Sequence, residues 1–308
     1  MVYRRRDLSG PDGDVVVCGR IRRSSIQPQP IGRRQTGEGH VVRSITRWLS
    51  AIVFVLGAAA AAAAQDGLID TIKKRGTLVV GNATFVPWAM RSKSGELIGF
   101  EIDVAKKVAE DLGVKVDFQP TAWSGIIPAL LAGKFDVIIG GMSITPERAQ
   151  TVDFTIPYST SGQAIVANKA LAGSFKRLED FDAQNVNITC RRGTLSCQTV
   201  RNRFPKAQMR AFEDDAQATQ ELLNGNAHAF ISSAPRPRFV AIDNPDKAFM
   251  PTDEFLVLQQ EGFAMRKGDP KAAEFFNAWI KSNTDNGWLK ARHDFWFTNR
   301  SWAEQVTN

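Results

Sequence analysis

From Gly67 onward, short apolar runs alternate with stretches of helical periodicity. Thr77 to Ala83, TLVVGNA, is rich in β-branched residues and closes on Gly81-Asn82, which predicts a buried strand. In GFEIDVAKKVAEDLG, Val104, Ala105, Val108, Ala109 and Leu112 share one helical face, while Lys106, Lys107, Glu110 and Asp111 occupy the other. Gly113 follows, so the pattern predicts an amphipathic helix with a glycine stop. VKVDFQP predicts a second strand, IIPALLAGK a short helix, and FDVIIGG a third, wholly apolar strand. Strands alternating with helices argue for parallel β-α-β units with both sheet faces covered.

The alternation then repeats: strand NVNITC, helix SCQTVRNRF, strand AQMRAF, helix DAQATQELLNG and strand AHAFISS. Two similar α/β halves are the expectation. Gln163 to Ala170 and Glu261 to Asp269 are the candidate crossings between them. The C-terminal KAAEFFNAWIKSNTDNGWLKARHDFWF is amphipathic and is expected to pack back on the first half.

Upstream of this body the pattern changes. Arg43 and Arg47 precede an apolar run from Trp48 to Gly57, and Ala62 to Ala64 supply small residues before Gln65. That order predicts a secretory signal peptide over 43–64, cleaved near Ala64. A membrane anchor is the alternative, but Trp48 to Ala64 is short and alanine-rich for a span. Residues 1–42 have no periodicity and are expected to be either a leader ahead of the true start or a disordered extension.

Charge agrees with this division. The chain of 308 residues carries a net +7, yet its first 64 residues hold ten arginines, no lysine and four acids. The remainder has 29 basic against 28 acidic residues, so nothing in it asks for nucleic acid or an anionic membrane. The three histidines are far apart, and Cys190 and Cys197 have no nearby ligating partner, so neither metal nor cofactor is expected. Walker and G-x-S-x-G motifs are absent from the sequence.

The sharpest chemistry lies in GGMSITPERAQTVDFTIPY, Gly140 to Tyr158, directly after the third strand. Open α/β sheets bind ligands at that end of a strand. Gly140 and Gly141 admit close approach to the backbone. Thr145-Pro146 reads as a helix start, and Arg148 supplies a planar two-pronged donor suited to a carboxylate. Arg148 pairing with Glu147 or Asp153 at the surface is the alternative.

Three segments, GELIGFEIDVAKKVAEDLG, WSGIIPALLAGKFDVIIGGMSITPERAQTVDFTIPY and EGFAMRKGD, resemble the hallmark stretches of bacterial extracellular solute-binding proteins of family 3. The likeness runs in order over Leu68 to Trp296. It implies an α/β, two-lobed periplasmic-binding-protein fold of type II, each lobe a sheet sandwich, joined by two hinge strands and closing on ligand. Lobe 1 is expected over 65–166 plus 261–308, and lobe 2 over 167–260. The implied function is a monomeric periplasmic receptor that delivers a small carboxylate-bearing solute, an amino acid or analogue, to an inner-membrane ABC permease.

By the same resemblance, Phe85, Trp88 and Trp123 form the apolar wall of the site. Gly141 and Ser143 offer backbone and hydroxyl contacts, and Arg148 grips the carboxylate. Gly193, Thr194 and Leu195 form the second-lobe turn. The family's usual aspartate for an α-ammonium falls at Ser233, beside Ser232, and a serine supplies no charge. Glu213, Asp214 or Asp215 must then substitute, or the ligand has no ammonium, since burying one unpaired is costly. His228 and the pair Asp180 and Asp182 read as structural or solvated groups.

An oxidising compartment predicts a disulfide between Cys190 and Cys197, with two buried free thiols as the alternative. Such a bridge would staple the Gly193-Thr194 turn. Arg191 and Arg192 are either lobe-surface charges or extra cations facing the cleft. The scaffold also leaves open an enzyme like cyclohexadienyl or arogenate dehydratase, or a receptor for carboxylates lacking an amine.

Overall fold

The structure is a computed structural model and describes residues 66–306. The leader over 1–42 and the signal peptide over 43–64, with its cleavage near Ala64, lie outside the described residues. No described helix is long and apolar enough to cross a membrane.

The first sheet contains β1 (Thr77–Asn82), β4 (Lys115–Pro120), β5 (Val137–Ile138), β6 (Asp153–Phe154) and β13 (Ala264–Met265), in the order β4-β1-β5-β13-β6. A small ribbon of β2 (Met90–Arg91) and β3 (Leu97–Ile98) stands apart from it. Strand β1 runs parallel to β4 and β5, whereas β13 is antiparallel to β5 and β6. The second sheet contains β7 (Ser159–Asn168), β8 (Asn187–Arg191), β9 (Gln208–Phe212), β10 (Ala229–Ser233), β11 (Ala248–Phe249) and β12 (Val257–Glu261). Its order is β11-β7-β10-β8-β9, with β12 also paired to β7. Parallel pairing of β8 with β9 and β10 leaves their C-terminal ends on one edge.

Alternation along β1 explains why the first sheet is covered twice. Leu78 and Val80 enter the core beneath the Phe100–Leu112 helix, while Val79 faces the Ile126–Leu131 helix on the other side. The C-terminal helices bring Phe276, Trp279, Trp296 and Trp302 into the first of these cores. The second sheet repeats the plan, with Ile188 and Val200 on one face and Leu222 and Phe230 on the other.

The chain crosses between the sheets at Thr155–Tyr158 and again at Gly262–Phe263. Gln163 to Val166, assigned on the sequence to the first lobe and the crossing, is instead inside β7 of the second sheet. The reason is pairing: Ser159 to Gln163 registers with Glu261 to Val257 on one side, while Gln163 to Ala167 pairs with β10 on the other. Every residue of the run is thus in a strand ladder, with Gln163 bonded on both sides, and its apolar side chains could equally have suited a linker. The C-terminal segment packs on the first core as expected, and it also reaches the second lobe. Arg300 pairs with Asp243 at 2.7 Å and lies over the Phe239 ring.

Beside the crossings lies a buried polar network. The Tyr158 hydroxyl donates to the Glu101 carboxylate and accepts from Gly141 N–H at 3.1 Å. Burial pushes the Glu101 carboxyl up to about 8, opposed by the Tyr158 hydrogen bond and aided by the neighbouring Glu261. Glu261 is raised too, chiefly by burial.

Candidate ligand-binding site

The C-terminal strand ends of both sheets converge on one cleft with about 370 Å³ of atom-free space, part of it open to solvent. This is the place where open α/β sheets gather ligand groups. From the first lobe come Phe85 after β1, Trp123 after β4, Gly140, Gly141 and Ser143 after β5, and Arg148. Thr145 caps the Pro146–Ala149 turn by accepting from Arg148 N–H at 3.2 Å, with proline at the first position. That cap aims the arginine inward, and its Nη1 donates to the Ser143 carbonyl at 2.8 Å.

Gly141 has φ +68°, and a Cβ there would lie 2.9 Å from the Trp88 ring. Glycine is therefore required both by conformation and by space. Trp88 itself does not line the cleft, contrary to its expected place in the wall. It is 1% exposed, stacks on Phe85 at 5.9 Å and meets the edge of Phe297 at 4.5 Å. The indole is too deep to touch a ligand and instead supports Phe85 and Gly141 from beneath.

The second lobe supplies Arg191, Thr194, Leu195, Ser196, Asp215, Ser232 and Ser233. Cys190 at the end of β8 is bonded to Cys197 in the following helix, so the disulfide spans the Arg191–Leu195 turn. Gly193 in that turn has φ +74°, and its carbonyl accepts from Arg148 Nη2 at 3.1 Å across the cleft. The Thr194 hydroxyl folds back on the Arg191 carbonyl at 2.6 Å. Two further bonds join the lobes: Arg191 Nη1 to the Thr84 carbonyl at 3.1 Å, and Ser124 Oγ to Glu213 at 2.9 Å.

The two adjacent arginines divide. Arg192 lies outside, half-exposed and paired with Glu213 at 2.6 Å. Arg191 is 6% exposed and borders the cleft, its guanidinium carbon 5.5 Å from the Trp123 ring centre. Arg148 approaches the same ring at 5.8 Å. Among the described residues neither has an acid within salt-bridge reach, and burial lowers both, Arg148 to about 10.

The three candidate acids divide as well. Glu213 is held by Arg192, and Asp214 caps the Asp215–Leu223 helix by accepting from Gln217 N–H at 2.7 Å. Asp215 borders the cleft, 6% exposed, accepting from Ser232 Oγ at 3.0 Å. Burial raises its carboxyl, offset by the fields of Arg191 and Arg236. Ser233 lines the cleft but is tied to Gln163 and Gln259, each at 3.0 Å. Gln259 accepts from Ser143 Oγ at 3.3 Å and donates to Glu261, so a buried polar path runs from the cleft to the crossing strands.

Sequence reasoning did not find this glutamine path, because Gln163 and Gln259 sit in strands whose pairing is non-local. Asp215 had a local signal: in Glu213-Asp214-Asp215, a cap at Asp214 leaves Asp215 at the first helical position. His228 is structural, its Nδ1 accepting from Asn187 N–H at 3.1 Å. Asp180 takes two backbone N–H groups, from Lys176 and Arg177, which hold it below the usual carboxylate range.

Residues 78–299 match the family described as bacterial extracellular solute-binding proteins, family 3. The chain belongs to this family. It is 30% identical over 262 residues to the L-cystine-binding protein TcyJ of Escherichia coli, covering 84% of this chain and 96% of that protein. It is also 24% identical over 244 residues to the cyclohexadienyl dehydratase of Pseudomonas aeruginosa, covering 79% and 91%. Among solved structures, the ancestral amino acid-binding protein AncCDT-1, a precursor of cyclohexadienyl dehydratase, is 41% identical with a TM-score of 0.68. That match covers 75% of this chain and all of the ancestral one. The two-lobed family 3 architecture is thus common to this chain and its relatives.

Proposed function

We propose that this chain is a periplasmic receptor that captures an α-amino acid between its lobes and presents it to an inner-membrane ABC permease. The carrying observation is a buried carboxylate, Asp215, and a half-buried guanidinium, Arg148, that border one cleft from opposite lobes. Arg148, with the backbone at Gly141 and the second-lobe turn, receives the α-carboxylate. Asp215, oriented by Ser232, takes over the ammonium from the aspartate absent at Ser233. Phe85 and Trp123 form the apolar wall. Export through a cleaved signal peptide and a monomeric state belong to the same reading.

The test is a thermal-shift panel on the purified protein, dialysed free of bound ligand. At least one α-amino acid should raise the melting temperature, and neither its carboxamide nor its amine-free analogue should do so. A panel without any amino-acid response overturns the reading.

A dehydratase reading has one observation in its favour: Asp215 is a cleft acid whose carboxyl burial pushes upward, the direction a general acid needs. Incubation with arogenate and prephenate decides it. We expect both to be recovered unchanged, and product formation would replace the receptor with an enzyme.

A further inference from the structure

Arg191 is not used by a ligand's α-carboxylate or its ammonium. It stands at the end of β8, on the lobe opposite Arg148. Its Nε donates to the Glu213 carbonyl at 3.3 Å and its Nη1 to the Thr84 carbonyl at 3.1 Å. Its Nη2 has no protein hydrogen bond among the described residues. A guanidinium this deep, held by two neutral carbonyls and no acid, retains most of its desolvation cost. The fields of Asp215, Asp214 and Glu213 favour its charge without outweighing burial: Glu213 is held by Arg192, Asp214 caps a helix, and Asp215 lies beyond salt-bridge distance. Arg236, half-buried, adds a further positive field to the Asp215 carboxylate.

The cleft is therefore bordered by two guanidinium groups and one carboxylate. Both guanidinium groups line that one cleft, their carbons 5.8 and 5.5 Å from the Trp123 ring centre. We infer that Arg191 reads a second anionic group, and that the ligand is an acidic α-amino acid carrying two carboxylates and one ammonium. Such a ligand matches the lining charge for charge: the α-carboxylate to Arg148, the ammonium to Asp215 and the side-chain carboxylate to Arg191 Nη2. A cationic amino acid would set its side chain against the Arg191 guanidinium. A neutral amide would leave that arginine with only the fields of the Glu213–Asp215 run, none of them in salt-bridge contact. The inference rests on the receptor reading above and narrows it to a substrate class.

Isothermal titration of the ligand-free protein with L-glutamate, L-aspartate, L-glutamine, L-arginine, L-lysine and glutarate tests it. L-Glutamate or L-aspartate should bind at least about tenfold tighter than glutamine, arginine or lysine, since removing a rim-to-core charge contact costs that much or more. Arg191→Gln should erase the preference for the acid over its amide, and Arg191→Lys should retain part of it. Glutamine, arginine or lysine binding as tightly as both acids overturns the inference and leaves the receptor reading standing. An unchanged acid-over-amide ratio in Arg191→Gln also overturns it. Should that variant not fold, the wild-type ratios decide alone. Glutarate matching glutamate would remove the ammonium site, and silence from every amino acid would remove the receptor reading itself.

Discussion

The two lobes face the same cleft with different chemistry. The first lobe presents two aromatic rings, an open backbone at Gly140 and Gly141, and one arginine set by a four-residue turn. The second presents a stapled turn, an arginine, an aspartate and a row of small hydroxyl groups. In the first lobe Gly140, Gly141, Ser143 and Arg148 sit close together in sequence, in the loop after one strand end, while Phe85 and Trp123 come from two others. The second lobe's groups are drawn from three separate strand ends. In the proposed function, a shared ligand element, the carboxylate, is then read by a compact local motif, and the distinguishing elements by residues that only the folded sheet brings together.

The strongest way to break this comparison is Arg148→Ala, which should abolish ligand-induced stabilisation while the unliganded protein still melts cooperatively. A retained shift would transfer the carboxylate to the second lobe. Next is Asp215→Asn, where we expect affinity to fall roughly a hundredfold, since losing one partner of a buried charge pair costs about 2–5 kcal/mol. Titration calorimetry reads this directly, and an unchanged Kd would return the ammonium to the serines.

The staple tests whether the second-lobe turn is pre-organised by the bond. Reduction should add 2 Da to the intact mass, as two hydrogens on Cys190 and Cys197 require. It should cost about 2–3 kcal/mol, a lowering of the melting temperature on the order of 5–10 °C. No mass gain would mean two thiols.

The smallest effect belongs to the first lobe's hinge side. Glu101, raised to about 8 by burial, is an acid that the fold prefers protonated. Its stabilisation is present below its unfolded value and is lost as pH rises through about 8. His228 and His293 are lowered by burial and act in the opposite sense, but only near and below their ordinary 6.5. Denaturant titrations should therefore show stability falling as pH rises from about 6.5 and levelling above about 8, and Glu101→Gln should flatten that slope. A variant with the wild-type slope would show that another group carries the proton.

Much of this was legible in the chain. The alternating strand and helix patterns, the Thr145-Pro146 cap and the glycines after β5 all depend on neighbours within a few residues, and each is found where the pattern predicts. Three other positions were not decidable that way. Trp88 is equally a wall or a floor until Phe297, from the far end of the chain, closes over it. Gln163 to Val166 suits a linker or a strand until β10 pairs along all of it. Arg191 and Arg192 are chemically identical neighbours, and the end of β8 places one in the cleft while the turn after it carries the other to Glu213.

By itself the sequence determined the class of the protein: two α/β halves, a glycine-lined strand end and an arginine behind a capped turn, all set by local periodicity and backbone preference. The tertiary structure alone decided the cleft's charge. It selected Asp215 from three consecutive acids and Arg191 from two consecutive arginines. Which side chain of such a run points inward depends on strand pleat, helix phase and the opposing lobe, and none of these is a property of the run.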